Sequence, residues 1–187
     1  MTLRFLRLLA GQLLLVFACA QAQAAGNDVD IVRANIESTE EGYRLSAAYA
    51  FELNHGLEDA IQHGVQLYFT TEIELTRPRW YWYDDRAVTQ HQTLRISYNV
   101  LTRQYQVSVQ GSMQQSFSTL EDAMVLIRRP SRWLIAPHGA LKPGETYNVT
   151  LRMFMDRERL PKPIQLNASN AQWRLESKDR KFQYRAE

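Results

Sequence analysis

Four stretches of this chain place an apolar residue at every second position, and that rhythm limits the fold more than any other feature. Tyr43, Leu45, Ala47, Tyr49 and Phe51 are separated by Arg44, Ser46, Ala48 and Ala50. Val65, Leu67, Phe69, Thr71, Ile73 and Leu75 are separated by Gln66, Tyr68, Thr70, Glu72 and Glu74. Tyr105, Val107 and Val109 follow the same period, as do Tyr147, Val149, Leu151, Met153 and Met155. Side chains point alternately to opposite faces of a strand, so these segments bury one face and wet the other. Parallel sheets, covered on both faces, read instead as unbroken apolar runs. The pattern therefore predicts antiparallel strands.

Turn residues separate the strands at suitable intervals. Glu40-Glu41-Gly42 joins a first strand, Val29 to Glu37, to the second. The chain reverses near Val100 to Arg103, between Leu94-Ile96-Tyr98 and Tyr105-Val107-Val109. In Lys142-Pro143-Gly144-Glu145, Pro presets one corner and Gly is free to take positive φ. A last strand is expected over Ala171 to Glu176, carrying Trp173 and Leu175. Two short helices break the rhythm. Leu57, Ala60 and Ile61 form an i, i+3, i+4 face ended by Gly64. Ser118-Thr119-Leu120-Glu121 reads as a capping box with Ser118 and Glu121 satisfying exposed N–H groups. It opens a helix with the stripe Leu120, Ala123, Met124 and Ile127, ended by Pro130. The expected fold class is mainly β, an antiparallel β-sandwich-like domain with two short α-helices. One domain over 26–187 is the simplest division, and a subdivision near residue 112 into two smaller sheets is the alternative.

The first 25 residues have a different character. Arg4 and Arg7 precede an apolar run from Leu8 to Ala18, and the small-residue stretch Ala20-Gln21-Ala22-Gln23-Ala24 follows. Positive start, apolar middle and an A-x-A end make a secretory signal peptide. The apolar run is about half of the roughly 20 residues that a spanning helix needs. Cleavage after Ala22 or Ala24 fits the small-residue rule. Val16-Phe17-Ala18-Cys19 loosely resembles a lipoprotein box, but Phe17 is too bulky for its slot, so we read Cys19 as part of the discarded signal. The expected location is the periplasm, with no membrane span after cleavage. No cysteine follows Ala25, so the domain is expected to be held by its core rather than by disulfides.

Charge adds a constraint on partners. Two of the 22 basic residues lie in the signal and all 20 acidic residues follow it, so the mature chain is neutral overall. Attraction to nucleic acid or to a membrane by net charge is thereby excluded. The distribution is uneven, however. Residues 26–75 hold ten acids against Arg33 and Arg44, and the balance reverses in the rest of the chain. We read this as acidic early strands lying beside basic later ones.

Chemistry-bearing motifs are absent. His55, His63, His91 and His138 show no HExxH, HxH or HxxxH spacing, and no cysteine is left to complete a zinc set. Gly111-Ser112-Met113 lacks the second glycine of a nucleophile elbow, and there is no phosphate loop. Asp84 and Asp85 are adjacent, so on a strand they face opposite ways and do not form an acid/base couple. No catalytic, cofactor or metal residue is assigned. The candidate binding surface is Arg77, Arg79, Trp80, Tyr81, Trp82 and Tyr83. If extended, this segment carries large aromatics on both faces. One is then core material, and the other is a guanidinium–tyrosine row suited to cation–π stacking and enriched at binding hot spots. The segment Asp156 to Pro163, with two prolines and alternating charges, reads as an extended, solvated loop.

The chain resembles the bacterial family called domain of unknown function 4390. The likeness rests on Arg77-x-Arg79-Trp80-x-Trp82-x-Asp84, Ser97-Tyr98-Asn99-x-Leu101-Thr102-Arg103-Gln104-Tyr105, Gln115-Ser116-Phe117-x-Thr119-Leu120 and Leu160-Pro161-Lys162-Pro163. Tyr81 stands where the family more often has Trp, so bulk and aromaticity matter there more than indole itself. The resemblance implies an exported proteobacterial protein that partners the periplasmic part of a membrane sensor kinase. The expected function is that of a non-catalytic exported binding or accessory protein. The alternative is a glycan- or small-molecule-binding module using the Arg/Trp/Tyr strand, and an enzyme with a dispersed site is the third reading.

Export has a direct test. Mass spectrometry of the protein from its native host is expected to find an N-terminus at Gln23 or Ala25 in the periplasmic fraction. A full-length chain in the cytoplasm overturns the signal assignment.

Overall fold

The alternation is most complete in β3 (Leu67–Arg77), and that strand lies at the centre of the observed architecture. A computed structural model describes residues 28–78, 85–109, 112–130, 132–165 and 173–187. Antiparallel partners flank β3 on both sides, β4 (Asp85–Asn99) on one and β8 (Thr146–Met155) on the other. Beyond β4 lie β5 (Gln104–Val109) and β6 (Gln115–Phe117). The far edge of β8 is shared. Most of it pairs with β10 (Arg180–Arg185), and one residue, Phe154, pairs with Glu176 of the two-residue β9 (Glu176–Ser177). Strand β9 also runs parallel to the start of β1 (Asp28–Thr39), which pairs with β2 (Gly42–Ala50), and β2 in turn with β7 (Trp133–Pro137).

The result is a mainly β protein with short helices, as the alternation predicts, and its mixed sheet curls into a half-barrel. The sandwich-like layering survives as two arms, β1-β2-β7 against β4-β3-β8-β10, facing each other across the core. They are arms of one continuous sheet and not two separate sheets, because β9 links them. A two-residue strand leaves no periodic signal in the sequence. Strands from both sides of residue 112 pair with one another, β5 with β6 and β2 with β7.

Two apolar clusters fill the space between the arms. At one end, Leu67, Phe69, Leu94, Ile96 and Val107 meet α1 (His55–Gln62) and α2 (Leu120–Arg128) through Leu57, Ile61, Ala123, Met124 and Ile127. At the other end, Ile73, Leu75, Tyr147, Val149 and Leu151 meet Ile36, Tyr43, Leu45, Ile135 and Leu141. Each fully buried Leu, Ile or Phe contributes roughly 1.5–3 kcal/mol. Between the clusters, the Tyr49 hydroxyl and Thr71 Oγ1 lie 3.0 Å apart and satisfy each other across the core. Gly42, at φ 135°, passes so near the β7 backbone that a Cβ there would strike the Ala136 carbonyl.

Several sequence expectations need correction. The cap of α2 is Thr119 and not Ser118: its Oγ1 accepts from Asp122 N at 3.1 Å and donates to Asp122 Oδ2 at 2.6 Å, while Glu121 binds Arg128. Both neighbours are hydroxyl residues, and local sequence does not separate them. The last strand is β10, which follows the Trp173–Leu175 segment; its Arg and Lys residues hide the inward Phe182 and Tyr184. The Asp156 to Pro163 segment is not wholly extended. It holds a 3-10 turn at Arg157–Arg159 and begins α3 (Lys162–Gln165), with Leu160 buried in the core. Proline early in a first helical turn costs no hydrogen bond, so its presence did not forbid the helix. The expected pairing of early acids with later bases is seen in Glu52–Arg128, Glu72–Arg152 and Glu74–Arg86 at 2.7–2.8 Å, and in Glu37–Arg132.

The core tyrosine supplies a test. Burial pushes the Tyr49 phenol up to about 12, against a smaller opposing effect of its bond to Thr71. The folded state therefore keeps a proton that the unfolded chain releases near pH 10. The associated stability is intact below pH 10 and is lost as pH rises toward 12, at roughly 1.4 kcal/mol per pH unit. Denaturant unfolding of Tyr49→Phe is expected to lose about 1–2 kcal/mol at pH 7, since Thr71 is left unpaired. The same variant is expected to show a shallower fall above pH 10 than the parent.

Candidate functional site

Of the six residues singled out from sequence, the structure describes one. Arg77 is the last residue of β3 and pairs in register with Asp85, the first of β4. Its guanidinium donates to Asp85 Oδ2 at 3.0 Å, which ties the two strands together at the point where their connection begins. Arg79, Trp80, Tyr81, Trp82 and Tyr83 belong to that connection and lie outside the described residues.

The outer face of the larger arm is set by the phase of the same alternation. With 67, 69, 71, 73 and 75 turned inward, Tyr68, Thr70, Glu72, Glu74 and Thr76 face outward on β3. Cross-strand register then lays polar rows over β8, β3, β4 and β5. One row reads Arg152, Glu72, His91; another reads Thr150, Glu74, Thr89. Here lies a depression of about 330 Å³ lined in part by Glu72, Glu74, His91, Arg152 and Asp179. Both of its glutamates are paired: Arg152 binds Glu72 at 2.7 Å and stacks 4.9 Å from the Phe154 ring centre, and Arg86 binds Glu74 at 2.8 Å.

Toward the start of β3 the face changes. The row Tyr68, Arg95, Ser108 crosses three strands, and the next row holds Thr70 and Thr93, whose hydroxyls lie 2.9 Å apart and are almost fully buried. Tyr68, Thr93, Arg95 and Ser108 floor a trough of about 410 Å³. One wall is the 3-10 turn after β8, from which Arg159 stacks 5.6 Å from the Tyr68 ring centre and binds Asp156 at 3.1 Å. That turn is pinned by the Asp156 N–H donating to the Tyr68 carbonyl at 2.7 Å. The opposite wall is the β5–β6 connection, with Ser112 and Gln114. Arg95 is half-buried on the floor and, among the described residues, forms no ion pair or hydrogen bond. Arg128, equally inaccessible to most solvent, binds Glu52, Glu121 and the Phe51 carbonyl.

The motifs that carry the family resemblance have visible work in this framework. Asn99 Oδ1 accepts from the N–H groups of Leu101 and Thr102, and Arg103 takes φ 54°, so Asn99 to Arg103 form the β4–β5 turn. Tyr98 and Tyr105 meet just below it, with ring centres 4.8 Å apart and planes tilted by 49°. Burial raises the Tyr105 phenol above its ordinary value, with smaller contributions from Tyr98 and Glu58. Leu101, 95% exposed at the tip, contributes nothing to the core. Among the described residues no three His, Cys, Asp or Glu side chains converge as a metal site would require, and His63 instead caps α1 by contact with the Asp59 carbonyl at 2.8 Å.

Sequence reasoning missed Arg95. The signal was present in Leu94-Arg95-Ile96, where the alternation places Arg95 outward, but its isolation depends on register. Sliding β4 by four residues would place Glu72 opposite it; the observed register gives it Tyr68 and Ser108.

Fold and site together define a mainly β domain with a filled concave side and a polar, partly walled outer face. The chain belongs to the family described as Domain of unknown function (DUF4390), which matches residues 26–183. No curated protein and no solved structure matches it.

The contrast between the two arginines can be measured. Arg95→Met is expected to change unfolding free energy by less than about 0.5 kcal/mol, because no folded-state partner is lost. Arg128→Met is expected to cost about 1–3 kcal/mol by stripping the Phe51 carbonyl and two carboxylates of their donor. A large loss on changing Arg95 would make it a structural residue.

Proposed function

We propose that this chain is a non-catalytic binding or accessory domain exported to the periplasm, with its recognition surface on the outer face of the curled sheet. The observation that carries this reading is the outer face of β8-β3-β4-β5, which bears polar rows and a walled trough with an unneutralised arginine. A half-buried guanidinium with no protein partner keeps its donors free for a ligand, at less desolvation cost than a fully buried one. The Arg79–Tyr83 connection leaves the same arm at the far end of β3, nine residues or about 30 Å from Tyr68 at roughly 3.4 Å per residue. Its Arg, Trp and Tyr composition supports a protein contact there. An envelope protein, such as the periplasmic part of a sensor kinase, is the partner this reading favours.

A second reading, a small-molecule-binding module, is favoured by the trough itself, whose volume falls within the range of about 300–1,000 Å³ typical of ligand sites.

Photo-crosslinking in cells tests the first reading. A crosslinking residue at His91 or Lys181 on the outer face is expected to capture one envelope protein, whereas the same residue at Asn35 of β1 is not. Trp80→Ala with Trp82→Ala is expected to reduce capture at least tenfold while the purified variant keeps its unfolding midpoint. Equal capture from Asn35, or none from the outer face, overturns the proposal.

A further inference from the structure

The trough around Arg95 differs from the rest of the charged surface in one chemical respect. Its lining contains two cations, Arg95 and Arg159, and no acid. The charge of Arg159 is already met by Asp156, and its guanidinium lies against the Tyr68 ring. One positive charge is left over, on a planar group held at the centre of a three-strand floor. Neighbouring arginines on the same arm are spent internally: Arg77 on Asp85, Arg86 on Glu74 and Arg152 on Glu72. The other arginines without a partner among the described residues, Arg33, Arg103 and Arg129, are exposed to solvent and need none.

Neutral hydrogen-bonding groups surround that charge. The hydroxyls of Ser108 and Ser112 and the amide of Gln114 line the trough and make no side-chain hydrogen bond among the described residues. Thr93 is already engaged by Thr70, so it serves as floor and not as a donor to a ligand. Tyr68 is held in place by its hydroxyl donating to Gln66 Oε1 at 2.8 Å, by its backbone bond to Asp156 and by Arg159 above it. The floor is therefore preorganised, because strands and a pinned turn supply every fixed element.

We propose that this trough binds a small carboxylate whose skeleton carries hydroxyl or amide groups. This rests on the second reading above. A guanidinium presents parallel N–H groups that match the two oxygens of a carboxylate. A single leftover positive charge balances a monoanion; a phosphate monoester, at about −1.5 to −2 near pH 7, would remain undercompensated. Ser108, Ser112 and Gln114 then hydrogen-bond the polar substituents on either side. Acidic sugars and N-acylated amino acids share this chemistry, and the test separates them.

The mature domain, 15N-labelled, is titrated at constant ionic strength with glucuronate, N-acetylmuramate and N-acetylglutamine. Glucose, N-acetylglucosamine and the α-amide of N-acetylglutamine serve as neutral counterparts, and inorganic phosphate as the competing anion. At least one carboxylate is expected to give saturable amide shifts at Tyr68, Arg95, Ser108 and Ser112, with its neutral counterpart and phosphate much weaker. Whichever of the sugar acids or the acylamino acid saturates first identifies the source. Arg95→Lys is expected to weaken binding about tenfold, the loss of one charge-assisted hydrogen bond, and Arg95→Met to abolish it, both with unchanged unfolding midpoints. Ser108→Ala gives a smaller loss and serves as an independent variant. The proposal is overturned if no carboxylate saturates below about 10 mM, a standard free energy near −2.7 kcal/mol, or if neutral counterparts shift the same residues equally. Crosslinking from His91 with no carboxylate response would retain the accessory-protein reading and remove this one; the reverse result would do the opposite.

Discussion

Register between β3 and its two neighbours governs the molecule. Phe69 stands opposite Leu94 on β4 and Met155 on β8, and Ile73 stands opposite Leu151. Because strand side chains repeat every second residue, a slip of one position would turn Leu67, Phe69, Ile73 and Leu75 to water and bring Glu72 and Glu74 into the core. Both apolar clusters, the Tyr49–Thr71 bond and the helix contacts depend on this phase. The outer face depends on it equally, since the same register that packs Leu94 inward sets Arg95 beside Tyr68 and Ser108. Stability and recognition chemistry are thus two sides of one ladder.

What could be read from the sequence follows from how local each signal is. The inward faces of β2, β3, β5 and β8 were legible residue by residue, because alternation needs nothing beyond the strand itself. The buried sides of α1 and α2 were legible for the same reason. Partners were not. The closure through β9 rests on two residues, the α2 cap was misplaced by one hydroxyl, and β10 was concealed because Arg180, Lys181 and Arg185 outweigh Phe182 and Tyr184 in any local average. The candidate site divides along the same line. The composition of Arg77–Tyr83 is visible in sequence, yet the commitment of Arg77 to Asp85 is a matter of pairing. Arg95 sits in an unremarkable stretch, and only three-strand register shows that it lacks a counter-charge.

Charge distribution carries a similar lesson. The early acidic and later basic halves of the chain suggest a polar molecule, but the sheet interleaves them. Glu37, Glu52, Glu72 and Glu74 each meet an arginine from later in the chain. These exposed pairs contribute little stability individually, about 0–1 kcal/mol each. Their effect is to cancel long-range fields, so that what remains uncancelled is local and confined to sites such as the Arg95 trough.

The narrow joint at β9 leaves β1 with an open flank. Beyond Val29, no strand among the described residues pairs with that side of β1, and β10 pairs only with β8. A bare strand edge invites another chain to add to it. Two features blunt this one. The register shift between Ile31 and Arg33 lets Val32 bulge outward, interrupting the straight run of donors and acceptors. Arg180 reaches across from β10 and donates to the Ile31 and Val32 carbonyls, occupying acceptors that an intruding strand would need. The seam of the half-barrel is fastened by a side chain in place of a backbone ladder, so the sheet stops where it does without a further strand to end it.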